Sequence, residues 1–302
     1  MSTQPPTSPA PSAAIDTDVA TDLSRVRRFL VQDPFATAYM LGDLDPVYQA
    51  YCTWYLAHEA GRDLAILQVY TGLSAPVLIG FGAAPGLAAI VTRHFHALPG
   101  SAHIHLMPEH LAILDRAFHL EKLRPMVRMA LSAGAFIPAP ASAPGAGADG
   151  PVERLGHRDT GEIMQLFTHY PDSFFEPHQL SSGHYYGIRP AGGGSLIAVA
   201  GVHVVSRHEG IAALGNIVTH PDHRGRGLST RVTSHLVSSL IADGIELLAL
   251  NVERKNQSAL KVYEKLGFRE HCTYLEGFAT RSLAPSGDDA GGEGLDRGRG
   301  AA

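Results

Sequence analysis

The sequence predicts an α/β protein of two domains, and three features of the chain support this prediction. Residues 211–268 alternate between apolar, strand-like runs and helical repeats, with glycine-rich turns between them. Residues 16–133 alternate between strand and helix patterns in the same way. Between these segments, residues 134–151 are rich in alanine, proline and glycine, a composition typical of a linker. At 302 residues, the chain is long enough for two hydrophobic cores.

The composition predicts a soluble, cytoplasmic protein that does not bind nucleic acid or membranes. Hydrophobic residues make up 45% of the chain, and the formal net charge is −5. A negative net charge disfavours nucleic acid or an anionic membrane as the main partner. No apolar run approaches the ~20 residues needed to span a bilayer. The two cysteines, Cys52 and Cys272, are too few and too far apart for a disulfide framework or a zinc site, and no metal is expected.

Both ends of the chain are predicted to be disordered. Residues 1–15 are rich in serine, threonine and proline, and they lack the basic start and apolar centre of a secretory signal. Residues 283–302 are rich in glycine, aspartate and arginine. The predicted domains are therefore residues 16–133 and 152–282.

The first domain is expected to begin with a helix and end with a strand. The patterns predict a helix at 22–31, strands at 53–58, 64–70 and 77–81, a helix at 87–95, a strand at 103–106, a helix at 108–118 and a strand at 126–131. The histidine pairs at 94/96 and 103/105 have a strand-like spacing. We expect these histidines to be packed or exposed rather than bound to a metal, since no carboxylate or cysteine lies at a ligand-like distance in sequence.

The second domain contains one unit of strand, turn, helix, strand and helix. An apolar strand at 211–218 leads into a turn at 220–227. The helix that follows has one apolar stripe, because Leu228, Val232, Leu236 and Leu240 recur every fourth residue. Gly244 is expected to end this helix, and a strand at 247–252 and a helix at 256–266 complete the unit. Upstream, we predict a short helix at 174–180 and strands at 184–189 and 195–205.

The turn before the long helix has the properties of a pyrophosphate-binding site. The first backbone N–H groups of a helix lack internal partners and lie at the positive end of the helix dipole. Gly225 and Gly227 remove side chains that would block a close approach, while Arg224 and Arg226 add positive charge. The turn lacks both the Gly-Lys-Ser/Thr ending of a triphosphate loop and the third glycine of a dinucleotide fingerprint.

The turn and the residues after it resemble the GNAT superfamily of acyl-CoA-dependent N-acyltransferases. The resemblance rests on Arg224-Gly225-Arg226-Gly227-Leu228, on Asn251 and Asn256, and on Tyr263 and Gly267-Phe268 at fixed spacings. Ser229 stands where the family has glycine or alanine, and it is small enough to fit. The resemblance covers residues 151–281 and implies a mixed, mostly antiparallel sheet flanked by helices. The first domain is similar in element order to a degenerate copy, but it lacks the turn and is not expected to bind CoA.

The resemblance implies acetyl-CoA as cosubstrate and assigns residues to its binding. Backbone groups of the strand end would pair with the pantetheine arm, the N–H groups of the turn would hold the pyrophosphate, Asn256 would bind the arm and Tyr263 would lie beside the sulfur. The implied set is Ile217, Val218, Thr219, Arg224, Gly225, Arg226, Gly227, Leu228, Ser229, Thr230, Asn256 and Tyr263. From the residues alone, Asn256 fits a helix N-cap equally well, and Tyr263 fits a core aromatic.

The implied reaction is attack of a primary amine on the thioester. The candidate donor to the developing oxyanion is the N–H of Val218, and Tyr263 is the candidate general acid for the leaving thiolate. Many relatives carry a glutamate base where this chain has Asn251, which cannot accept a proton at neutral pH. Asn251 or Glu253 acting through a water are candidates, as are His203, Glu246 and His220, and the base stays unassigned.

The acceptor is expected to be a small-molecule or peptide amine. In the family, the segments that correspond to residues 174–189 line the acceptor pocket, so the resemblance implies Glu176, Tyr185 and Tyr186 as acceptor-binding residues. Packing and surface charge explain these three residues equally well. A different class of function, a catalytically idle acyl-CoA-binding regulatory module, is the alternative that Asn251 favours.

Overall fold

The computed structural model describes residues 14–140, 149–171, 173 and 175–282. The predictions of disorder at 1–13 and 283–302, and most of the predicted linker, lie outside these residues. Within them there are twelve strands: β1 (Asp16–Val19), β2 (Cys52–Glu59), β3 (Arg62–Tyr70), β4 (Val77–Gly82), β5 (Ser101–Leu106), β6 (Phe118–Ser132), β7 (Asp149–Arg154), β8 (Tyr186–Pro190), β9 (Ala198–Ser206), β10 (Ile211–Thr219), β11 (Leu247–Glu253) and β12 (Arg269–Arg281).

The same part of the chain contains eight α-helices. They are α1 (Leu23–Leu30), α2 (Ala38–Gly42), α3 (Pro46–Gln49), α4 (Ala84–His94), α5 (Leu111–Leu114), α6 (Thr160–Phe167), α7 (Leu228–Ala242) and α8 (Gln257–Lys265). None of the helices in the described ranges is long and apolar enough to cross a membrane.

All twelve strands form one sheet in the order β1-β2-β3-β4-β5-β12-β6-β11-β10-β9-β8-β7. Two neighbouring pairs, β4 with β5 and β10 with β11, are parallel. The other pairs are antiparallel. The predicted fold class, a mixed and mostly antiparallel sheet flanked by helices, is therefore confirmed.

The two halves of the chain exchange their last strands. β6 ends the first half but lies between β11 and β12, and β12 ends the second half but pairs with β5. Each half otherwise contributes five consecutive strands whose last two are parallel. The halves thus repeat one pattern, and neither has a complete sheet without a strand from the other.

This exchange changes where the boundary between the two units can be drawn. β6 belongs to residues 16–133 by sequence but to the second unit by pairing, so a cut at 134–151 separates β11 from its partner. The described part of the predicted linker also packs on the second unit. Ile137 N–H donates to Leu266 O at 3.0 Å, and Ala139 N–H donates to Ser234 Oγ at 2.8 Å. We propose two units, with β6 and β12 each completing the other one.

The predicted bounds of two elements in the first half are wrong. The helix predicted at 108–118 stops at Leu114, and the strand predicted at 126–131 already begins at Phe118. Phe118 is fully buried in the first-half core, and pairing with β12 extends β6 to 15 residues. Tertiary pairing therefore overrides the local pattern. In the second half, the helix predicted at 174–180 is instead a short 3₁₀ helix at Pro177–Ser182.

The core contains the predicted apolar stripe of α7. Leu228, Val232, Leu236 and Leu240 are all buried against strands of the second half. On the opposite face of the sheet, helices of the first half cover strands of the second. A Cβ at Gly42 in α2 would come within 2.6 Å of Val204 in β9, so the helix backbone approaches this strand closely.

Candidate active site

Strands β10 and β11 separate at their carboxyl ends. Their pairing runs from Ile211 and Leu247 to Leu214 and Leu250, and it stops there although both strands continue. β10 contains a bulge between Gly215 and Val218, with Asn216 at a φ of 53°. The Asn216 amide holds this conformation by donating to Gln179 Oε1 at 3.0 Å and to the Tyr185 hydroxyl at 2.8 Å. The bulge re-aims β10 and opens a gap beside β11.

A cavity of about 600 Å³ extends from this gap across the sheet toward the first half. The second half lines it with residues of β10, β11 and α8, among them Ile217, Val218, Asn251, Asn256 and Tyr263. The first half contributes Tyr39, Tyr70, Ile79, His103 and His105. The predicted cofactor strand and the first half therefore share one cavity.

The glycine turn leaves the start of α7 uncovered. Gly225 and Gly227 have φ values of 76° and 75°, which residues with side chains rarely adopt. A Cβ at either position would meet no other atom of the described residues within 4 Å, so these residues leave open space in front of the turn. α7 begins at Leu228 without a side-chain cap hydrogen bond, and Ser229 lines the cavity. The turn can thus offer backbone N–H groups to an anion.

The two arginines of the turn are already engaged. Arg224 Nη2 donates to the Tyr170 hydroxyl at 2.9 Å, and the guanidinium lies 5.7 Å from the centre of the Tyr170 ring. Arg226 Nη2 donates to Asp149 Oδ1 at 2.5 Å. Asp149 therefore offsets the charge of Arg226, whereas the partner of Arg224 is neutral.

The strand end of β10 offers backbone groups to the gap. His220 N–H donates to Ile197 O at 2.8 Å, toward β9. After the bulge, Val218 and Thr219 pair with Val199 and Ala198 of β9, while the pairing of β10 with β11 has already stopped at Leu214. The assignment of Val218 N–H as oxyanion donor stays a prediction. Thr219 Oγ1 is buried without a partner among the described residues.

Asn256 and Tyr263 both line the cavity. Asn256 is the N-cap of α8, where its Oδ1 accepts from Ala259 N–H at 3.2 Å. The two interpretations of Asn256 are therefore compatible. Tyr263 is 6% exposed, and burial raises the pKa of its phenol. The phenol is therefore protonated at neutral pH and can act only as a donor toward an anionic sulfur.

The base candidates differ in their positions. Asn251 Oδ1 accepts from Arg128 Nε at 3.0 Å, and Glu253 Oε1 lies 2.7 Å from Lys255 Nζ. Both residues line the cavity, but each is held by a cation. His203 lines the cavity as well, and burial lowers its pKa to about 4. Glu246 is exposed at the opposite end of β11, and His220 caps a short 3₁₀ turn.

None of the three expected acceptor residues lines the cavity. Tyr185 is fully buried, and its hydroxyl donates to Val202 O at 3.1 Å. Tyr186 is buried against α7, where its hydroxyl is 2.7 Å from Ser239 Oγ. Glu176 Oε1 accepts from Ser74 N–H at 2.7 Å. All three residues therefore have packing or bridging contacts, and their role in acceptor binding stays a prediction.

Glu276, which no sequence pattern predicted as a site residue, lines the cavity from β12. Its side chain is 14% exposed, and Oε1 accepts from the Tyr274 hydroxyl at 2.9 Å. Burial raises the pKa of Glu276. No local motif surrounds this glutamate. The nearest local pattern is the strand-like spacing of His103 and His105, which both line the cavity.

The part of the chain that forms this site is similar to known proteins. The family model of the acetyltransferase (GNAT) family matches residues 157–268, which contain the bulge, the glycine turn and Tyr263. Residues 157–268 form a GNAT domain. Over 59 residues, the chain is 41% identical to the [ribosomal protein bS18]-alanine N-acetyltransferase of Salmonella typhimurium. This match covers 20% of the chain and 40% of the relative, so the chain spans less than half of that protein.

Solved structures extend the similarity of the GNAT domain to the whole sheet. A GCN5-related N-acetyltransferase from Sphaerobacter thermophilus matches with a TM-score of 0.57 and 13% identity, over 89% of this chain and 96% of that one. A tandem GNAT protein from the clavulanic acid biosynthesis pathway matches with a TM-score of 0.55 and 14% identity, over 90% and 100%. At these identities the comparison establishes the fold, including the first half beside the GNAT domain.

Proposed function

We propose that this chain is an acetyl-CoA-dependent N-acyltransferase that moves an acetyl group to a primary amine by direct attack on the thioester. The observation that carries the proposal is a single cavity that joins the β10–β11 gap, the start of α7 and Tyr263. An extended cofactor arm and its anionic end can thus lie along one path that passes beside a proton donor. The relative from Salmonella acetylates an alanine of a ribosomal protein, and an amine acceptor fits the same chemistry here.

Acetyl-CoA fits the residues that are present. Backbone N–H groups from Gly225 to Thr230 would hold the pyrophosphate, as the open space before the two glycines allows. Backbone groups of Ile217, Val218 and Thr219 would bind the arm together with Asn256. Thr219 Oγ1, which has no hydrogen-bond partner among the described residues, supports an extra polar contact there. When bound, acetyl-CoA supplies an acyl group that is activated as a thioester.

Two groups of this chain would then stabilise the charges that develop. Val218 lies directly after the bulge, and its N–H would donate to the developing oxyanion. Tyr263 is a protonated, buried phenol that is placed to donate to a leaving thiolate, which resembles a cysteine thiolate of pKa about 8.5. Because the pKa of the Tyr263 phenol is raised, Tyr263 would act mainly by donating a hydrogen bond to the thiolate.

Tyr263→Phe tests the proposal against an idle CoA-binding module. The variant loses one hydroxyl, so CoA affinity by calorimetry should stay the same, while kcat should fall roughly ten- to ten-thousand-fold. Tyr55→Phe is the control, because Tyr55 is 5% exposed in the first-half core and does not line the cavity. Equal turnover by wild type and Tyr263→Phe from pH 6 to 9 would remove Tyr263 from the reaction. Binding of CoA without turnover of any amine would favour the idle module.

A further inference from the structure

A carboxylate and two imidazoles meet in the part of the cavity that the two halves share. Glu276 lies on β12, His105 on β5 and His203 on β9, and all three line the cavity together with Tyr263. His105 Nε2 is 3.5 Å from Glu276 Oε1. The second nitrogen of His105, Nδ1, is buried without a hydrogen-bond partner among the described residues. A buried polar atom beside a cavity is expected to have a partner, and a ligand can supply one.

Glu276 and the two imidazoles beside it offer hydrogen-bond acceptors to an ammonium ion. Burial lowers the pKa of His105 to about 3 and that of His203 to about 4, so both imidazoles are neutral at pH 7 and can accept hydrogen bonds. Arg124 Nη2 lies 3.9 Å from Glu276 Oε2. The charged and titratable groups that face Glu276 are His103 and His105 of β5, Arg124 and Arg128 of β6, His203 of β9, Tyr39 of α2 and Tyr274 of β12 itself.

Asn251 stands where many relatives carry a glutamate base, so this position supplies no carboxylate. Asn251 is neutral, and its oxygen is occupied by Arg128. The Arg128 guanidinium is itself fixed between the rings of Tyr39 and Tyr274, at 4.8 Å and 4.9 Å. Glu276 is the buried carboxylate on the same face of the sheet, two strands away from Asn251.

We propose that Glu276, with His105 and His203, forms the acceptor site and binds the ammonium group of a primary alkylamine. This inference rests on the proposed function. The carboxylate takes one proton from the ammonium: an N–H bond breaks, an O–H bond forms, and the nitrogen lone pair becomes available for attack. The proton then leaves to solvent through the mouth of the cavity. In this site, His105 belongs to the first half, and the base, Glu276, belongs to β12 of the second half.

The proposed site distinguishes alkylamines from arylamines. An alkylamine has a pKa near ~10.4 and arrives as an ammonium ion at pH 7, so it needs both a counter-charge and a base. An arylamine is neutral at pH 7, because its lone pair is delocalised into the ring. It needs no counter-charge and no deprotonation before attack, and the weakly basic nitrogen releases its proton to water afterwards. The two amine classes therefore depend on Glu276 to different extents.

The experiment compares 2-phenylethylamine with aniline on the full chain, with CoA release as the readout. Glu276→Gln keeps an acceptor for the Tyr274 hydroxyl but removes the charge and the base. We expect kcat/KM for 2-phenylethylamine to fall about 100-fold or more, with less than about a threefold change for aniline and an unchanged Kd for CoA. Raising the pH toward 10 should restore part of the rate with 2-phenylethylamine. Glu270→Gln is the control, since Glu270 is on the same strand and 50% exposed.

Each other outcome has a defined meaning. An equal loss of rate with both amines, or no loss with either, would overturn the acceptor site. If the wild type transfers acetyl to neither amine, calorimetry of 2-phenylethylamine with the CoA complex decides. If the wild type binds 2-phenylethylamine and Glu276→Gln does not, the acceptor site stands and the transferase activity is rejected. If the wild type does not bind 2-phenylethylamine, the acceptor site is overturned. Failure to bind CoA at all would reject the proposed function itself.

Discussion

The glycines of the cofactor turn act through their backbone. Gly225 and Gly227 adopt left-handed φ angles that let successive N–H groups face the same open space at the start of α7. A side chain there would impose strain and would also fill the space that a phosphate needs. Their position at the start of α7 thus distinguishes these two glycines from the other left-handed glycines of the protein.

Gly227→Val is expected to weaken CoA binding more than Arg224→Ala. The valine obstructs the approach to the backbone, whereas loss of Arg224 removes only charge. Gly244→Val is the matched control, because Gly244 has a φ of 86° with equally open surroundings at the other end of α7. Both valine variants should lose similar stability, but calorimetry should show weakened CoA binding in Gly227→Val alone. Unchanged affinity in Gly227→Val would rule out the turn as the phosphate site.

His203 is expected to make stability depend on pH. Its folded-state pKa is lowered from 6.5 to about 4, so only the unfolded chain gains its proton between these values. Its contribution to stability is fully present above pH 6.5 and is lost as the pH falls toward 4. Between pH 7 and pH 5, the free energy of unfolding should therefore fall by about 2 kcal/mol more in the wild type than in His203→Gln. Parallel losses in both proteins, measured by urea unfolding, would contradict this assignment.

At the scale of elements, the bulge of β10 organises both sides of the cavity. It ends the pairing with β11, and it brings Gly215 against His203 of β9. A Cβ at Gly215 would lie 2.0 Å from the His203 ring, so a larger residue requires that ring to move. The bulge therefore connects the cofactor strand with the proposed acceptor site.

Gly215→Ala should disturb the acceptor side while leaving the phosphate side intact. We expect a loss of about 1–3 kcal/mol of stability from overpacking and a raised KM for the amine, with little change in CoA affinity. Gly161→Ala is the control, since this helical glycine is exposed and an added methyl group would meet no other atom within 4 Å. The control should be neutral or gain up to about 1 kcal/mol from helix propensity. A fully active, fully stable Gly215→Ala would show that His203 is not held in place by this glycine.

At the scale of the molecule, the strand exchange makes the two halves depend on each other. β6 completes the sheet of the second half, and β12 completes that of the first. Apolar residues of β9, β10 and β11, including Val204, Ile211 and Ala249, pack in one cluster with first-half helices. Without the first half, the second-half sheet would lose both its neighbour β6 and the helices that cover one of its faces.

Splitting the chain at residue 144 tests this dependence. We expect fragment 145–302 alone to fail to bind CoA, since it lacks β6 and the helices that cover its sheet. Co-expressed with fragment 1–144, it should copurify as a 1:1 complex that binds CoA by calorimetry. A fragment 145–302 that is folded by circular dichroism and binds CoA as the full chain does would show that the exchange is dispensable.

The sequence by itself determined the features that depend on short separations. The stripe from Leu228 to Leu240 follows from helical periodicity, and the phosphate turn follows from two glycines and the start of a helix. Most strand positions followed from apolar runs, while the length of β6 and the end of α5 did not. The fold class followed from the resemblance that these local motifs support.

Only the tertiary structure decided which residues share the cavity. Arg128 and Asn251 are 123 residues apart and form a hydrogen bond, because β6 lies beside β11. Glu276 and His105 meet because β12 crosses to the first half. The periodicity of a strand fixes which side chains share its face, but it carries no information about which distant strand becomes its neighbour. The exchange of β6 and β12 therefore places the proposed acceptor site where no local pattern could.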